Sequence, residues 1–319
     1  RIKYMEPTAG VRQIFQYNNF MFLLQGMITE KLTGKSWEEN VKEKIFMPLG
    51  MNTSNFSIHT LEKATDASLG YAVVKDSVIK KLDYYDIDAM GPAGSINSSV
   101  NEMANWVMTW MHEGKFNGKE ILPAAYVKQA MSSQMVVAAG LPDPEIPDAQ
   151  FSNYGFGWFL TSYRGHYRIE HGGNIDGFSA STSFFPTDSI GIIVLSNQNG
   201  SAVPGIVRNI IADRMFGLKQ IDWTSRADSA QAKAKRAAKE AEKNKTSNQK
   251  TGTHLSHDLK DYAGLFNNPG YGTLDVFLRN DSLFAHIPNG DMWLRHFHYD
   301  VFEPFDVDKK TGIDTSDKT

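Results

Sequence analysis

The chain has 319 residues, 41% of them hydrophobic and 12% aromatic, with 26 glycines and no cysteine. That is long enough for one large domain or for two with separate cores, and too rich in aromatics for a disordered chain. A formal net charge of −3, from 33 Lys+Arg against 36 Asp+Glu, gives no broad electrostatic case for nucleic acid or a membrane surface, and the lack of cysteine excludes disulfides, thiolate metal sites and Cys nucleophiles.

The opening segment Arg1–Gly10 carries no start signature and no signal peptide, so the chain is expected to begin inside a larger protein. No stretch approaches the roughly 20 apolar residues of a membrane-spanning helix. After Tyr17-Asn18-Asn19, apolar residues at Phe20, Leu23, Leu24, Met27, Ile28 and Leu32 have helical spacing, and Gly34 stops the helix. Ser36 and Glu39 form a capping box for a second helix, ended by Pro48-Leu49-Gly50. Ser99 and Glu102 predict another box, ahead of a helix carrying Met103, Val107, Trp110 and Met111.

Strand signals dominate from Tyr154 to Asn197. Phe178–Phe185 and Ile190–Ser196 flank the turn Pro186-Thr187-Asp188-Ser189 and read as a hairpin, expected at the sheet centre because its second arm is almost wholly apolar. Pro204 opens a helix whose expected buried stripe is Ile206, Val207, Ile210, Ile211, Met215 and Phe216.

From Thr224 to His254 there is no Leu, Ile, Val, Met, Phe, Tyr or Trp. The segment reads as a basic patch or as a solvated Ala/Lys/Glu helix. The spacer helix is the expectation, because no aromatic is interleaved to stack on bases. Short strands return at Leu274–Leu278, Leu283–Ile287 and Met292–Phe297, with turns at Asn280-Asp281 and Asn289-Gly290 and a polar tail from Lys309 to Thr319. The expected organisation is therefore a main domain over 1–222, a polar linker over 223–254 and a small β-rich domain over 255–319.

Two constellations carry chemistry. Tyr17 and Asn19, two apart before a helix, can face one cleft. A phenol lowered by a nearby cation accepts a proton from a hydroxyl nucleophile, and a carboxamide donates to and accepts from a substrate amide. The bland alternative is a packed Tyr and a helix-capping Asn. The second is His171-Gly172-Gly173-Asn174, where paired glycines let a ligand lie on bare backbone and edge-strand N–H groups become oxyanion donors. Its alternative is a β-bulge with an incidental surface His. His296, His298 and Asp300 share a face if their segment is a regular strand, a conceivable metal set or simply a solvated surface. Gly155-x-Gly157 lacks the third glycine and helix start of a dinucleotide loop.

Together with Leu32-Thr33-Gly34-Lys35-Ser36, Met47-Pro48-Leu49-Gly50-Met51, Pro92-Ala93-Gly94-Ser95 and Tyr154-Gly155-Phe156-Gly157-Trp158, these motifs closely resemble the serine β-lactamase and penicillin-binding-protein superfamily, in its class C-like branch. The likeness covers Arg1 to about Leu218, and Leu255–Phe305 resembles a small β-rich domain appended to such enzymes. It implies an α+β fold, with an antiparallel sheet flanked by helices, and acyl-enzyme chemistry on a small-molecule or peptide amide or ester. No cofactor or metal is implied, and a periplasmic or otherwise exported location is.

The resemblance further implies three elements: a Ser-x-x-Lys at a helix start, Tyr-x-Asn, and Lys-Thr-Gly or His-x-Gly on a strand. Tyr17 would activate the nucleophile and protonate the leaving amine, and Asn19 would hold the substrate amide. His171, with Gly172 and Gly173, would orient the substrate carboxylate or Tyr17, and the Asn174 N–H would be one oxyanion donor. His in place of Lys favours a D-amino-acid peptidase or esterase over a dedicated β-lactamase. The 16 residues ahead of Tyr17 contain no Ser-x-x-Lys. Ser77-x-x-Lys80 and Ser247-x-x-Lys250 have the spacing but the wrong order, and both are expected to be coincidental. Either the nucleophile lies upstream of Arg1 in a longer enzyme, or this is a non-catalytic peptidoglycan- or peptide-binding relative that has lost it.

Overall fold

The computed structural model describes residues 2–4, 6–74, 77–138, 141, 149–244, 248–287, 290–308 and 312–313. Ser247, Asn289 and the tail apart from Gly312 and Ile313 lie outside the described residues. The chain divides into two compact units, one of Ala9–Lys233 and one of Ala234–Thr319 with Arg1–Thr8.

In the first unit, helices α1 (Asn19–Thr33), α2 (Trp37–Val41), α3 (Met47–Leu49) and α4 (Ile58–Leu61) precede a hairpin of β1 (Gly70–Val74) and β2 (Val78–Leu82). Then come α5 (Gly91–Gly94), α6 (Val100–Met111), the two-residue strands β3 (Lys115–Phe116) and β4 (Lys119–Glu120), and α7 (Ala124–Ala130). Strands β5 (Met135–Ala138), β6 (Ser152–Tyr154), β7 (Phe159–Tyr163), β8 (His166–Ile175), β9 (Phe178–Phe185) and β10 (Ile190–Ser196) form one antiparallel sheet in the order β10-β9-β8-β7-β6-β5. Helix α8 (Val203–Met215) follows, and then α9 (Trp223–Asn244), the expected polar helix, whose residues from Ala234 on belong to the second unit.

Alternation along the strands sorts side chains between two helical layers. Leu160, Ile169 and Phe184 point to one face and pack with Trp158 and with Val107 and Trp110 of α6 and Val127 and Ala130 of α7. Trp106, Trp110, Trp158 and Phe184 meet in successive edge-to-face contacts, with centroids 5.5, 5.3 and 5.1 Å apart. Tyr163, Phe185 and Ile192 point the other way, onto Ala212 of α8.

The hairpin β9–β10 forms as expected, but β10 is the edge strand and not the centre. Its apolar run reflects helices on both of its faces, with Ile193 in the α6 layer and Ile190, Ile192 and Val194 in the α8 layer. The Ser36–Glu39 box is complete. At Ser99 only half of the box exists: Ser99 Oγ accepts from the Glu102 N–H, while the Glu102 carboxylate accepts from Thr53 N and Ser54 Oγ at 2.8 and 2.5 Å. The α8 stripe is also displaced. Met215 is 60% exposed, whereas Asp213 is fully buried.

In the second unit β11 (Gly264–Asn268), β12 (Gly272–Arg279), β13 (Ser282–Ile287), β14 (Gly290–His298), β15 (Val301–Asp308) and β16 (Gly312–Ile313) pair in sequence order as an antiparallel sheet. Asn280 and Asp281 both have positive φ, 49° and 55°, as a two-residue hairpin turn with the twist of its strands requires. Val276, Leu283 and Ala285 form its core. A register shift between His296 and His298 breaks the face they were expected to share. His296 Nε2 instead lies 2.7 Å from Tyr299 O, and Asp300 accepts from Ser256 and Tyr262.

Candidate active site

Asn18, not Asn19, caps α1: its side chain accepts from Phe20 N at 2.9 Å. That leaves the Asn19 amide with no intramolecular hydrogen bond among the described residues. Gly26 lets α1 lie against the Pro92 loop, since a Cβ there would stand 2.3 Å from Pro92 Cγ. This close approach sets where the start of α1 presents Tyr17 and Asn19.

Strand β8 outruns its neighbour. Strand β7 pairs with it only as far as Phe159↔Glu170, whereas β9 continues to Ile175↔Phe178. Residues His171 to Ile175 therefore have one open backbone edge, and alternate N–H groups along it are free to meet a ligand. His171 shares the face of Ile169. Its neighbour Glu170 turns to the opposite face, where Arg168 and Arg208 pair with it. The Asn174 side chain donates to Asn199 Oδ1 at 3.1 Å and accepts from Ser179 Oγ and Gly200 N at 2.8 and 2.6 Å, which fixes the end of the strand.

These pieces meet. Tyr17, Asn19, His171, Gly172, Gly173 and Asn174 all line one open cleft of about 2090 Å³. The Tyr17 and His171 rings lie 5.9 Å apart, and Phe159 stacks on Tyr17 at 6.5 Å. Tyr17 departs from expectation in one respect. Its pKa is raised, with burial as the cause, and among the described residues no cation faces it to lower it.

Tyr154 belongs to the same cluster, 6.4 Å from Tyr17 and 4.7 Å from Phe159 between ring centroids. Its hydroxyl lies 3.2 Å from His171 Nε2. Burial pushes the Tyr154 phenol up, and the neighbouring Tyr17 charge acts in the same direction. The Tyr154-x-x-x-Trp158 run was visible in the sequence, but the chemistry of its Tyr depends on a strand pairing that spacing alone does not reveal.

Ser77 sits at the turn into β2, on an exposed hairpin and not at a helix start. The described residues hold one candidate metal group, His59, Asp86 and Asp88, which is exposed and has ligand atoms within 4.8 Å of one another. No helix among the described residues is long and apolar enough to cross a membrane.

The chain matches known proteins in sequence and fold. The Beta-lactamase family model matches residues 1–213, and a domain of unknown function, DUF3471, matches residues 248–315. An unguisins hydrolase of Aspergillus violaceofuscus is 25% identical over 301 residues, which are 87% of this chain and 52% of that protein. Protein flp of Staphylococcus aureus is 23% identical over 61% of this chain and 36% of its own length. The chain thus spans about half, or less, of the relatives it matches. An octameric penicillin-binding protein homologue from Pyrococcus abyssi shares the fold with a TM-score of 0.60 and 20% identity, over 96% of this chain and 61% of that one. A D-stereospecific amidohydrolase from Streptomyces does so at 0.52 and 19%, over 65% and 58%. The antiparallel sheet between helical layers is the fold shared with these solved structures, and the match over residues 1–213 shows that the chain belongs to the Beta-lactamase family.

Proposed function

We propose that this chain supplies the proton-transfer and carbonyl-holding side of a serine acyl-transfer site, which hydrolyses an amide or ester through an acyl-enzyme. The observation that carries this reading is the meeting of Tyr17 and His171, remote in sequence, beside the open edge of β8. In it, a serine hydroxyl attacks the substrate carbonyl, and Tyr17 receives the hydroxyl proton and passes it to the leaving amine or alcohol. The Asn174 N–H on the open edge holds the oxyanion, and water then releases the acyl group. Asn19 holds the substrate amide.

Burial raises the Tyr17 pKa. A base role therefore needs a cation beside it, which the lysine of a Ser-x-x-Lys upstream of Arg1 would provide. The hydrolase name of the Aspergillus relative agrees with acyl transfer to water. The His in the third element favours a D-amino-acid peptidase or an esterase, and an exported location belongs to the same reading.

A second reading keeps the cleft and drops the turnover: a protein that binds peptides without cleaving them. It is favoured by Ser77, the described Ser-x-x-Lys serine, lying on an exposed hairpin.

A fluorophosphonate probe separates the two. Intact mass spectrometry should show no adduct on the 319-residue chain, and one adduct, on the serine of Ser-x-x-Lys, on the protein extended upstream in its own reading frame. An extended protein that has no such motif and takes no adduct supports the binding protein. An adduct on Ser77 or Ser247 contradicts the site described above.

A further inference from the structure

His171 lies in the cleft where the family likeness implies a group that orients a substrate carboxylate. Its hydrogen bonds argue for another role. Nδ1 is 2.6 Å from the Gly172 carbonyl oxygen. A carbonyl only accepts, so Nδ1 carries a proton and donates. Nε2 is 3.2 Å from the Tyr154 hydroxyl, a half-buried phenol for which His171 is the only hydrogen-bond partner among the described residues. Leaving that hydroxyl hydrogen unpaired would be costly, so Tyr154 donates and Nε2 accepts. An imidazole that accepts at Nε2 is uncharged.

The surroundings agree. His59, His166 and His286 each stand beside an aspartate, whereas among the described residues no carboxylate pairs with His171. Glu170, next in sequence, is on the far face of the sheet and is held by two arginines. Rings of Tyr17, Phe159 and Tyr154 surround the imidazole at 5.9, 5.3 and 6.2 Å. The described cleft lining has Lys63 as its one cation, against the carboxylates of Asp66, Glu102 and Asp176. A carboxylate entering it meets more negative than positive charge.

We propose that Tyr154 is a positioning residue that holds His171 as an uncharged imidazole, and that the cleft therefore takes acyl substrates whose end facing His171 is a neutral amide or ester and not a free carboxylate. This assignment rests on the acyl-site reading given above. A neutral substrate end leaves the Tyr154–His171 bond intact. A carboxylate would lose its water without gaining a positively charged partner.

Two measurements on the 319-residue chain test it. The first is the 15N spectrum of the His171 ring at neutral pH, in the wild type and in Tyr154→Phe. The wild type should show a protonated Nδ1 and an unprotonated Nε2, and the variant should keep the Nδ1 proton while its Nε2 signal loses the shift of a nitrogen that accepts from a phenol. The second is binding of N-acetyl-D-phenylalanylglycine and of its carboxamide. The carboxamide should bind about tenfold more tightly, the effect of one unpaired polar group. In Tyr154→Phe the ratio should fall towards one, because Nε2 is then free to take a proton and meet the carboxylate.

A proton on Nε2 in the wild type, or a carboxylate that binds as tightly as the carboxamide, overturns the substrate assignment and leaves the acyl-site reading standing. The expected His171 spectrum with no binding of either ligand contradicts the acyl-site reading, and the substrate assignment falls with it.

Discussion

Replacing Tyr17 with Phe in the protein extended upstream of Arg1 is expected to lower kcat by about 10² to 10⁴, the range for loss of a positioned proton-transfer group. KM should move far less. The ring stays to stack on Phe159 and to face His171, so the substrate meets nearly the same surface, and only the transferable proton is gone. Asn19→Ala should show the reverse division, with a raised KM, because its free amide is assigned to the substrate's own amide. Steady-state kinetics on an activated ester and on an amide separate the two effects. The Tyr17→Phe loss should be larger on the amide, whose leaving group needs the proton. Unchanged kcat in Tyr17→Phe removes this phenol from the mechanism.

Asp213→Ala is expected to destabilise the unit formed by Ala9–Lys233 by about 3–5 kcal/mol, the cost of breaking a buried ion pair from one side. The Asp213 carboxylate is fully buried. It accepts from Tyr163 Oη at 2.6 Å and Trp223 Nε1 at 2.8 Å, and pairs with Arg164 at 2.7 Å. It thus ties the end of α8 to β7 and to the start of α9, and its loss leaves the Trp223 indole N–H without a partner among the described residues, with Tyr163 and Arg164 keeping only their bonds to the Asn209 and Lys219 carbonyls.

The same carboxylate sets an acid limit. Burial opposes its charge, but the hydrogen bonds from Tyr163, Trp223 and Arg164 and the Arg164 charge outweigh burial, and its pKa is lowered from 3.8. A lowered carboxyl stabilises the fold fully above the unfolded value and loses that contribution as pH falls through the folded one. Thermal melts followed by Trp fluorescence should therefore show Asp213→Asn less stable than wild type at pH 6, with the gap closing below about pH 4. A constant gap down to pH 2 would show that the charge of Asp213 is not what stabilises the fold.

Features set by neighbours in the chain were legible in the sequence. Ser36 and Glu39 close their box because both bonds lie within one turn, and Asn280-Asp281 turn the chain because both residues tolerate positive φ. The β9–β10 hairpin, the stop at Gly34 and the polar helix α9 belong to the same class. What was misread depends on partners far away. The apolar run of β10 resembles a central strand, yet two helical layers cover an edge strand equally well. Glu102 has the spacing of a capping box, but Thr53 and Ser54 claim its carboxylate. Asp213 breaks the expected apolar stripe of α8 because Tyr163, Arg164 and Trp223 supply donors that no helical period reveals.

The candidate site divides in the same way. Tyr17, Asn19 and His171–Asn174 stand out as short motifs with a recognisable chemistry. Tyr154 does not, because its importance comes from β6, β7 and β8 lying side by side, which brings its hydroxyl to His171. The phenol of Tyr17 was also expected to be lowered by a cation, whereas burial among Phe159 and Tyr154 raises it. Spacing locates a side chain without setting its electrostatic surroundings.

The most direct test of the whole account is a crystal structure of the upstream-extended protein after phosphonylation. The phosphonylated serine oxygen is expected within about 3.5 Å of Tyr17 Oη, in direct hydrogen-bond reach, and a phosphonyl oxygen on the open edge of β8 at Asn174. A phosphonate seated elsewhere, with Tyr17 and His171 both out of its reach, contradicts it.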